Sequence, residues 1–375
     1  MNKKVYITSL HLLHGGIEMA ITLLANALVK KEYEVEIICT YNLGEPVYKL
    51  DERVQVTYLT NVRPNKKELK QAIQTKNPLH LMKEGVYASK VLYLKQKTMQ
   101  QYLASITEGT VIATRNEHAV LLSKYGQKNV RKIAQLHEDH RFREKLIRDF
   151  KNNYENIDVF VLLTDWLKDE IKEMMKKNHH TKHVVIPNFF PEIKTNTEHK
   201  RENQVIAVGR MHEVKGFLRM LEAWKETKTT EHYVLKIVGD GDEYVKVKQK
   251  ITELGLTGRV VLTGALDHAK VMEEMGKSKA YLMTSFTEAF PFVLIEAMSE
   301  GLPVVAYDVR VGPRAMIDNG VNGYLVPDGE KSIFAEKIES ILNNSDVLEK
   351  MSTAAFAKAE CFTEEKVVRQ WEEII

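Results

Sequence analysis

Short runs of Val, Ile and other apolar residues alternate along the chain with longer stretches in which apolar residues recur every three or four positions. The short runs predict buried strands, and the longer stretches predict amphipathic helices. Between residues 17 and 31, for example, Ile17, Ile21, Leu24 and Leu28 lie on one face of the predicted helix. A repeated strand–helix order is typical of parallel sheets covered by helices, so the sequence predicts an α/β fold.

The alternation falls into two halves separated by an irregular stretch. The strands predicted in the first half are 5–10, 35–39, 54–59, 110–114, 132–136, 158–163 and 183–187. Those predicted in the second half are 205–209, 233–239, 259–264, 280–283, 303–307 and 323–327. Between the halves, Pro187 and Pro191 bracket two phenylalanines and a polar stretch follows, which predicts a linker at 188–203. We expect two Rossmann-like domains, 1–187 and 204–360, facing each other across a ligand-binding cleft.

Composition narrows the class of protein. The 375 residues are 44% hydrophobic and 28% charged, which allows large cores and excludes a disordered or collagen-like chain. The net charge of +3 is too small to indicate a nucleic-acid partner. Cys39 and Cys361 are far apart, so they form neither a disulfide framework nor a thiolate metal cluster. With no signal peptide pattern and no long apolar run, we expect a cytoplasmic chain that does not span a membrane.

Two predicted strand ends in the first half carry candidate chemistry. Gly15 and Gly16 follow the first strand and open a helix, where backbone amides could approach a phosphate, although a tight strand-to-helix turn explains them equally well. His137 follows the strand at 132–136, at the carboxyl edge where open sheets bind ligands. A polar residue on a loop is the alternative for His137.

No metal site is expected. His140 has no carboxylate or thiolate ligand at a suitable spacing, and we expect it to be solvated. Asp240 and Asp242 could hold a divalent ion under a diphosphate, and the glycines beside them begin a dinucleotide fingerprint. The third glycine of that fingerprint is replaced by Tyr244, so the stretch is predicted to be a turn and helix cap.

The second half contains two cations at a strand end. Arg210 comes directly after the strand at 205–209, and Lys215 lies five residues on, where a helix is predicted to start. A guanidinium and an ammonium group together can share several oxygens of a diphosphate. Ordinary surface cations are the alternative.

Two carboxylates, Glu288 and Glu296, flank a predicted strand-to-helix turn with seven residues between them. The helix is predicted to start near Pro291, with its first amides available to an anion. Eight helical residues span about 12 Å, more than the about 5 to 9.5 Å that separates glycosidase carboxylates. The pair therefore favours binding of hydroxyls over glycosidase chemistry. A solvated Glu288 and a helix-face Glu296 are the alternative.

Residues 63–97 contain nine basic and two acidic residues, a net charge of +7, interleaved with apolar residues. Such a segment could lie on an anionic lipid surface. A solvated helix pair is an equally good interpretation. Nucleic acid is not expected, because no known nucleic-acid-binding motif accompanies the charge.

Taken as a set, the Gly-Gly turn, Gly-Arg with a downstream Lys-Gly, and Glu-x7-Glu followed by Ala-Met-x-x-Gly-x-Pro-Val-Val resemble glycosyltransferase family 4 nearly end to end. Its members are retaining, nucleotide-sugar-dependent enzymes of the B-type glycosyltransferase fold. The stretch YDVRVGPRAMIDNGVNGYLV is similar to bacterial members that build teichoic acids, capsules or other surface glycans. The resemblance implies an acceptor-side first domain, a nucleotide-sugar-binding second domain, and a C-terminal helix at 361–375 that crosses back to the first domain.

The resemblance also implies residue roles in the second domain. Arg210 and Lys215 match the pair that grips the donor diphosphate, Glu288 matches the carboxylate on the donor sugar, and Glu296 matches the carboxylate on the ribose. Residues around the helix start complete the implied donor site, namely Phe290, Pro291, Phe292 and Val293. This chain has Ala289-Phe290-Pro291 where the family usually has Gly-Phe-Gly, so the resemblance does not predict the identity of the donor sugar.

In the first domain, Gly16 matches the glycine that approaches the distal phosphate, and His137 matches the histidine beside the transferred sugar. We expect closure of the domains to bring both onto the donor. The catalytic set implied is Arg210, Lys215, Glu288 and His137.

The expected reaction transfers a hexose or N-acetylhexosamine from a UDP-sugar to a lipid-linked or polymeric glycan acceptor. Retention is expected, and no metal or other cofactor is needed. Peripheral contact of 63–97 with the inner face of the cell membrane is a further expectation. The alternatives are a nucleotide-sugar epimerase and a non-catalytic glycan-binding partner.

Overall fold

The chain divides by its internal contacts into two units. Unit 1 comprises Met1–Leu163, Leu167–Ile186 and Val368–Ile375, and unit 2 comprises Thr164–Trp166 and Pro187–Val367. The computed structural model describes residues 3–191, 200–228 and 232–375. The predicted linker at 188–203 lies partly outside the described residues.

Unit 1 is built on a parallel sheet. Its strands are β1 (Lys4–Ser9), β2 (Glu34–Tyr41), β3 (Gln55–Thr60), β4 (Thr110–Ala113), β5 (Arg131–Leu136), β6 (Val159–Leu162) and β7 (Lys182–Val185). The helices in this part of the chain are α1 (Gly16–Lys30), α2 (Lys66–Thr75), α3 (Pro78–Ser105), α4 (Asn116–Tyr125), α5 (Glu144–Asn153) and α6 (Asp165–Met174). The strand order is β3-β2-β1-β4-β5-β6-β7. Central strands such as β1 and β4 are buried almost throughout, as expected for a parallel sheet covered on both faces.

Unit 2 repeats this architecture. Its strands are β8 (Gln204–Val208), β9 (Val234–Val238), β10 (Val260–Gly264), β11 (Tyr281–Met283), β12 (Val304–Asp308) and β13 (Gly323–Pro327). The helices from here on are α7 (Phe217–Glu226), α8 (Tyr244–Glu253), α9 (His268–Lys277), α10 (Phe292–Ser299), α11 (Gly312–Met316), α12 (Lys331–Leu342), α13 (Ser345–Ala359) and α14 (Glu364–Glu372). Two 3-10 helices are also present, at Glu213–Lys215 and Glu360–Phe362. The strand order is β10-β9-β8-β11-β12-β13, and the core packs around Trp224 and Phe334.

Every strand predicted from the hydrophobic pattern is present, so the predicted fold of two parallel-sheet α/β units is confirmed. The strand order reverses once in each sheet, between β1 and β4 in unit 1 and between β8 and β11 in unit 2. We call these places the switch points. Ligands of open α/β sheets bind beside the carboxyl ends of the strands at such points. Among the described helices, none is both long and apolar enough to span a membrane.

Candidate functional site

At the switch point of unit 2, two predicted site residues form an ion pair. Lys215 ends the 3-10 helix after β8, and Glu288 lies in the loop after β11. The Lys215 Nζ lies 2.6 Å from the Glu288 Oε1, and the Ser285 hydroxyl also donates to that oxygen at 2.7 Å. The side chains are 31% and 12% exposed, so the pair is accessible from the strand ends. The structure thus joins two residues that the sequence placed on separate loops.

Arg210 adds a second cation after β8. Its side chain is exposed and makes no hydrogen bond or ion pair within the described part of the chain. Its loop is held from the β9 side, where the Met211 amide donates to the Asp240 carbonyl at 2.9 Å. A Cβ on Gly239 would lie 1.9 Å from the Gly209 carbonyl oxygen, so only glycine allows this close crossing.

The turn predicted around Asp240 is therefore present, but the predicted helix cap is wrong. Glu243 occupies the N-cap of α8, and no side chain caps that helix end. Within the described residues, no group of three or more His, Cys, Asp or Glu side chains is arranged to hold a metal ion.

The start of α10 is the third component of this site. The helix begins at Phe292 with Pro291 at its N-cap, which confirms the predicted start. The first amides of an α-helix lack internal partners and favour an anion, and Phe292 and Val293 supply two of them. The Gly312 amide donates to the Glu288 carbonyl at 2.9 Å. A Cβ on Gly312 would lie 2.9 Å from both the Glu288 Cβ and the Pro291 Cδ, so Gly312 keeps this turn compact.

Two further residues that were predicted to bind the nucleotide-sugar donor are largely buried. The Phe290 ring is buried and packs edge-on against Phe362, with ring centroids 5.4 Å apart. Glu296 lies inside α10, and its Oε1 is 3.2 Å from the Nε2 of the half-exposed His268. One carboxylate is therefore held by a lysine and the other by a histidine.

Arg219 is a functional candidate that the sequence did not reveal. From α7, its guanidinium donates to the carbonyls of Thr284 and Ser285, each at 2.6 Å. It lies 3.8 Å from the ring centroid of Phe286 and 4.5 Å from that of Tyr307. Arg219 thus fixes the backbone of the loop that carries Glu288. In the sequence Arg219 lies four residues after Lys215 and looks like an ordinary cation on a helix surface, so no signal singled it out.

At the switch point of unit 1, a second ion pair joins α1 to the end of β4. The Arg115 Nη2 lies 2.8 Å from the Glu18 Oε1, and the side chains are 25% and 4% exposed. The His11 Nδ1 lies 3.8 Å from the same carboxylate oxygen. Burial, with the Arg115 charge, lowers the pKa of His11 despite the Glu18 carboxylate. This pair was also missed from the sequence, because its members are 97 residues apart.

The two glycines beside this pair differ in their surroundings. A Cβ on Gly15 would lie 2.0 Å from the Glu18 Oε2, so Gly15 makes room for the buried carboxylate. Gly16 begins α1, and no atom outside its own helix and neighbours lies within 4 Å of the place its Cβ would take. Gly16 is therefore the glycine that a ligand can approach, and its contact with a phosphate stays a prediction.

His137 lies after β5, as predicted. Its Nε2 is buried and has no hydrogen-bond partner among the described residues. Burial, with a smaller contribution from the Arg115 charge, lowers the pKa of His137 to about 3. The imidazole is therefore neutral at physiological pH, and its position beside a transferred sugar stays a prediction.

The prediction of a solvated His140 is wrong. Its side chain is fully buried, and its Nε2 lies 3.0 Å from the Glu170 Oε2. Its Nδ1 accepts from the Phe142 amide at 3.1 Å. His140 thus fixes the loop that follows His137, a role that depends on a carboxylate 30 residues away.

Comparison with known proteins finds similarity to bacterial glycosyltransferases. Residues 189–358 match the family model described as glycosyl transferases group 1. An exopolysaccharide phosphotransferase of Streptomyces coelicolor is 26% identical over 96% of this chain, which spans only 39% of that relative. The GalNAc-alpha-(1->4)-GalNAc-alpha-(1->3)-diNAcBac-PP-undecaprenol alpha-1,4-N-acetyl-D-galactosaminyltransferase of Campylobacter jejuni is 26% identical over 96% of this chain and 95% of its own length.

A solved structure extends the likeness to the whole fold. The pneumococcal O-GlcNAc transferase GtfA, in complex with UDP and GlcNAc, superposes with a TM-score of 0.77 over 99% of this chain and 98% of that chain, at 16% identity. The two parallel-sheet units and the family match over the second of them agree with the resemblance drawn from the motifs. Residues 189–358 therefore match the glycosyl transferases group 1, and the chain as a whole has the B-type glycosyltransferase fold.

Proposed function

We propose that the chain is a retaining glycosyltransferase that moves a hexose or N-acetylhexosamine from a UDP-sugar to a hydroxyl of a lipid-linked or polymeric acceptor in bacterial surface glycan synthesis. The observation that carries the proposal is the Lys215–Glu288 ion pair together with Arg210, which follows the same strand, β8, and has no side-chain partner among the described residues. The name of the Campylobacter relative supports an undecaprenol-linked acceptor, and that of the Streptomyces relative supports a surface polysaccharide. The UDP and GlcNAc complex of GtfA supports the donor class.

The charge distribution suits a diphosphate leaving group. Arg210 has its full charge available, whereas Lys215 is neutralised by Glu288 until an anion competes for it. As the bond between the sugar and the diphosphate stretches, negative charge grows on the phosphate oxygens. Arg210, Lys215 and the first amides of α10 then stabilise that charge more in the transition state than in the ground state. This is the main catalytic contribution of unit 2.

Glu288 has two tasks in this proposal. It orders the Lys215 ammonium before the donor arrives, and its carboxylate then accepts hydrogen bonds from the donor sugar hydroxyls. Glu296, held by His268, is proposed to bind the ribose hydroxyls. Neither glutamate is proposed as a nucleophile, because each has a separate binding role.

The bond changes in the proposed step balance. The bond from the anomeric carbon to the diphosphate oxygen breaks, and the acceptor oxygen bonds to that carbon on the same face. The acceptor proton passes to the departing phosphate oxygen, so UDP and the glycosylated acceptor are the products. His137 is proposed to orient the sugar as a neutral group, since its lowered pKa keeps it unprotonated.

The test is to incubate the purified chain with UDP-glucose, UDP-GlcNAc or UDP-GalNAc and an undecaprenyl-diphosphate-linked glycan or a surface polysaccharide. We expect product formation that continues in EDTA, and an NMR spectrum that shows the anomeric configuration of the donor. An inverted product would overturn retention, and loss of activity in EDTA would overturn the metal-free mechanism.

A parallel incubation of donor without acceptor separates the epimerase alternative. An epimerase changes the sugar stereochemistry of the donor alone, whereas a transferase leaves it unchanged. Donor titration by calorimetry addresses the non-catalytic alternative, since a glycan-binding partner is expected to show no affinity for UDP. A donor at about 100 times its dissociation constant stabilises the folded state by about 2.7 kcal/mol, so thermal unfolding with UDP, GDP and ADP sugars also identifies the base.

A further inference from the structure

Exposed apolar side chains are concentrated on one part of unit 1. Of the seventeen large apolar side chains exposed in the described chain, eight lie between residues 73 and 93, on α2 and α3. The most exposed are Leu79 at 74%, Val86 at 69%, and Met82 and Leu92 at 65% each. Scattered exposed apolar residues need no explanation, but a cluster of this kind marks an interaction site.

Four of the seven exposed apolar side chains of α3 form a stripe along the helix. Leu79, Met82, Val86 and Tyr93 follow each other at spacings of three, four and seven residues, which places them on one helix face. The residues of α3 that are buried against unit 1, Val91 among them, point elsewhere on the helix. The stripe is therefore the outer face of a helix that already has its core contacts.

Basic side chains lie beside the stripe at regular intervals. Lys83, Lys90 and Lys97 are exposed, and each lies four residues after a stripe residue. Lys97 also donates to the Tyr93 hydroxyl at 2.6 Å, which holds an ammonium next to the aromatic ring. The surrounding segment 63–97 has a net charge of +7.

We propose that this outer face of α3, the stripe with its three lysines, docks the chain on an anionic phospholipid bilayer. An apolar face flanked by lysines is the pattern by which helices lie in the plane of a lipid surface. Both contributions are needed, because apolar burial and attraction to anionic lipid each give only weak binding alone. The charge also argues against a second copy of this chain as the occupant, since two copies of the segment 63–97, each with a net charge of +7, repel each other.

The test is sedimentation of the purified full chain with vesicles. One set contains phosphatidylcholine alone, and the other contains equal amounts of phosphatidylcholine and phosphatidylglycerol. We expect binding only to the anionic vesicles and release at about 1 M salt, where charge attraction is screened within about 3 Å. Equal binding to both sets, or no binding to either, would overturn the proposal.

Two variants locate the surface. Replacing Lys83, Lys90 and Lys97 together by Gln is expected to weaken vesicle binding roughly a hundredfold, at about 1 kcal/mol per lysine and 1.4 kcal/mol per factor of ten. The matched control replaces three exposed lysines of α5 and α6 and the turn after α6, Lys151→Gln, Lys172→Gln and Lys177→Gln, and is expected to bind like the parent. An equal loss in both variants would show a non-specific charge effect and overturn the assignment to α3.

The second variant replaces Leu79, Met82 and Val86 by Ser. We expect it to lose vesicle binding while circular dichroism, UDP binding and transfer to a water-soluble acceptor stay unchanged, because these side chains are exposed and lie outside the proposed donor site. Sedimentation of the protein without lipid tests the alternative that α3 binds a second copy of the chain. A dimer of the parent that dissociates in this variant would show that α3 binds a second copy, and would overturn the lipid proposal. Because UDP binding is measured separately, the proposed function and the lipid proposal can fail independently.

Discussion

Each unit places a cation–carboxylate pair at its switch point, but the two pairs are built differently. In unit 2, the Lys215 side chain is 31% exposed, and a second cation, Arg210, lies nearby with no side-chain partner in the described chain. In unit 1, Arg115 is 25% exposed and Glu18 is 4% exposed, against 12% for Glu288 in unit 2, and the His11 Nδ1 lies 3.8 Å from the Glu18 carboxylate.

The difference indicates that one pair takes part in ligand binding and that the other stabilises the fold. The Lys215–Glu288 pair is only partly buried and has a second cation nearby, so it can rearrange around an incoming anion at a lower cost than a fully buried pair. The Arg115–Glu18 pair opens less easily, because the nearly buried Glu18 carboxylate would lose its partner in a poorly solvated place. We therefore assign catalytic electrostatics to the pair in unit 2 and stabilisation of the loop around Gly15 and Gly16 to the pair in unit 1.

Removing either cation of unit 2 is expected to have the largest effect. A fixed donor to a developing oxyanion contributes about 2.7 to 4 kcal/mol, so Arg210→Ala or Lys215→Ala should lower turnover roughly a hundredfold or more. Steady-state kinetics with a UDP-sugar and acceptor measure this, and the unfolding transition should stay in place because both side chains are at least partly exposed. Unchanged turnover in both variants would refute the assignment.

Replacing the two carboxylates should lower stability to different extents. Glu18→Gln leaves the Arg115 charge without its buried counter-ion, and we expect it to lower the free energy of unfolding by about 2 kcal/mol. Glu288→Gln should lower it by about 1 kcal/mol or less, because Lys215 can turn to solvent. Urea unfolding of both variants measures the contrast, and UDP titration adds a second reading. Losing the competing carboxylate should tighten UDP binding in Glu288→Gln but not in Glu18→Gln, and equal stability losses would contradict the comparison.

Replacing Arg219 tests whether the Lys215–Glu288 pair depends on the hydrogen bonds that Arg219 makes to the loop carrying Glu288. Arg219→Ala removes both hydrogen bonds to the carbonyls before Glu288, and we expect kcat/KM for the donor to fall about tenfold, equivalent to about 1.4 kcal/mol. Arg219→Lys should be nearly as impaired, because an ammonium cannot reproduce a planar, stacked fork. The matched control on α7 is the exposed Lys225→Ala. A loss confined to stability, with normal kinetics at low temperature, would make Arg219 purely structural.

The sequence predicted local order well and long-range contacts poorly. Each strand and the start of α10 follow from apolar runs and from Pro291, which act within a few residues. The pairing of Lys215 with Glu288 spans 73 residues and exists only because β8 and β11 are neighbours in the sheet. Hydrophobic periodicity does not contain strand order.

The misses have the same physical origin. Arg219 and Arg115 look like ordinary helix-surface cations in the sequence, and their partners come from other loops. The predicted solvation of His140 is wrong because its partner, Glu170, lies on α6, 30 residues further along the chain. Sequence patterns identify groups capable of chemistry, whereas their neighbours are decided by the tertiary fold.

The smallest expected effect is a loss of stability of unit 1 at acidic pH. The pKa of His118, buried between the hydroxyls of Thr8 and Thr40, is lowered to about 4 by burial. The pKa of His137 is lowered to about 3 by burial and by the Arg115 charge. Both values lie below the pKa of about 6.5 for a histidine in the unfolded chain. As the pH falls, the unfolded chain therefore binds protons before the folded chain does. Stability is therefore complete above about pH 6.5 and falls as the pH drops toward the folded pKa values.

At about pH 6 each histidine should lower the free energy of unfolding by less than about 1 kcal/mol, with a steeper loss below. Urea unfolding between about pH 7 and pH 5, followed by hydrogen exchange of the strands, should show unit 1 losing protection before unit 2. His118→Gln and His137→Gln should each flatten the pH dependence, whereas the exposed His179→Gln should not. Parallel loss in both units, or an unchanged slope in the two variants, would show that buried neutral histidines do not distinguish unit 1.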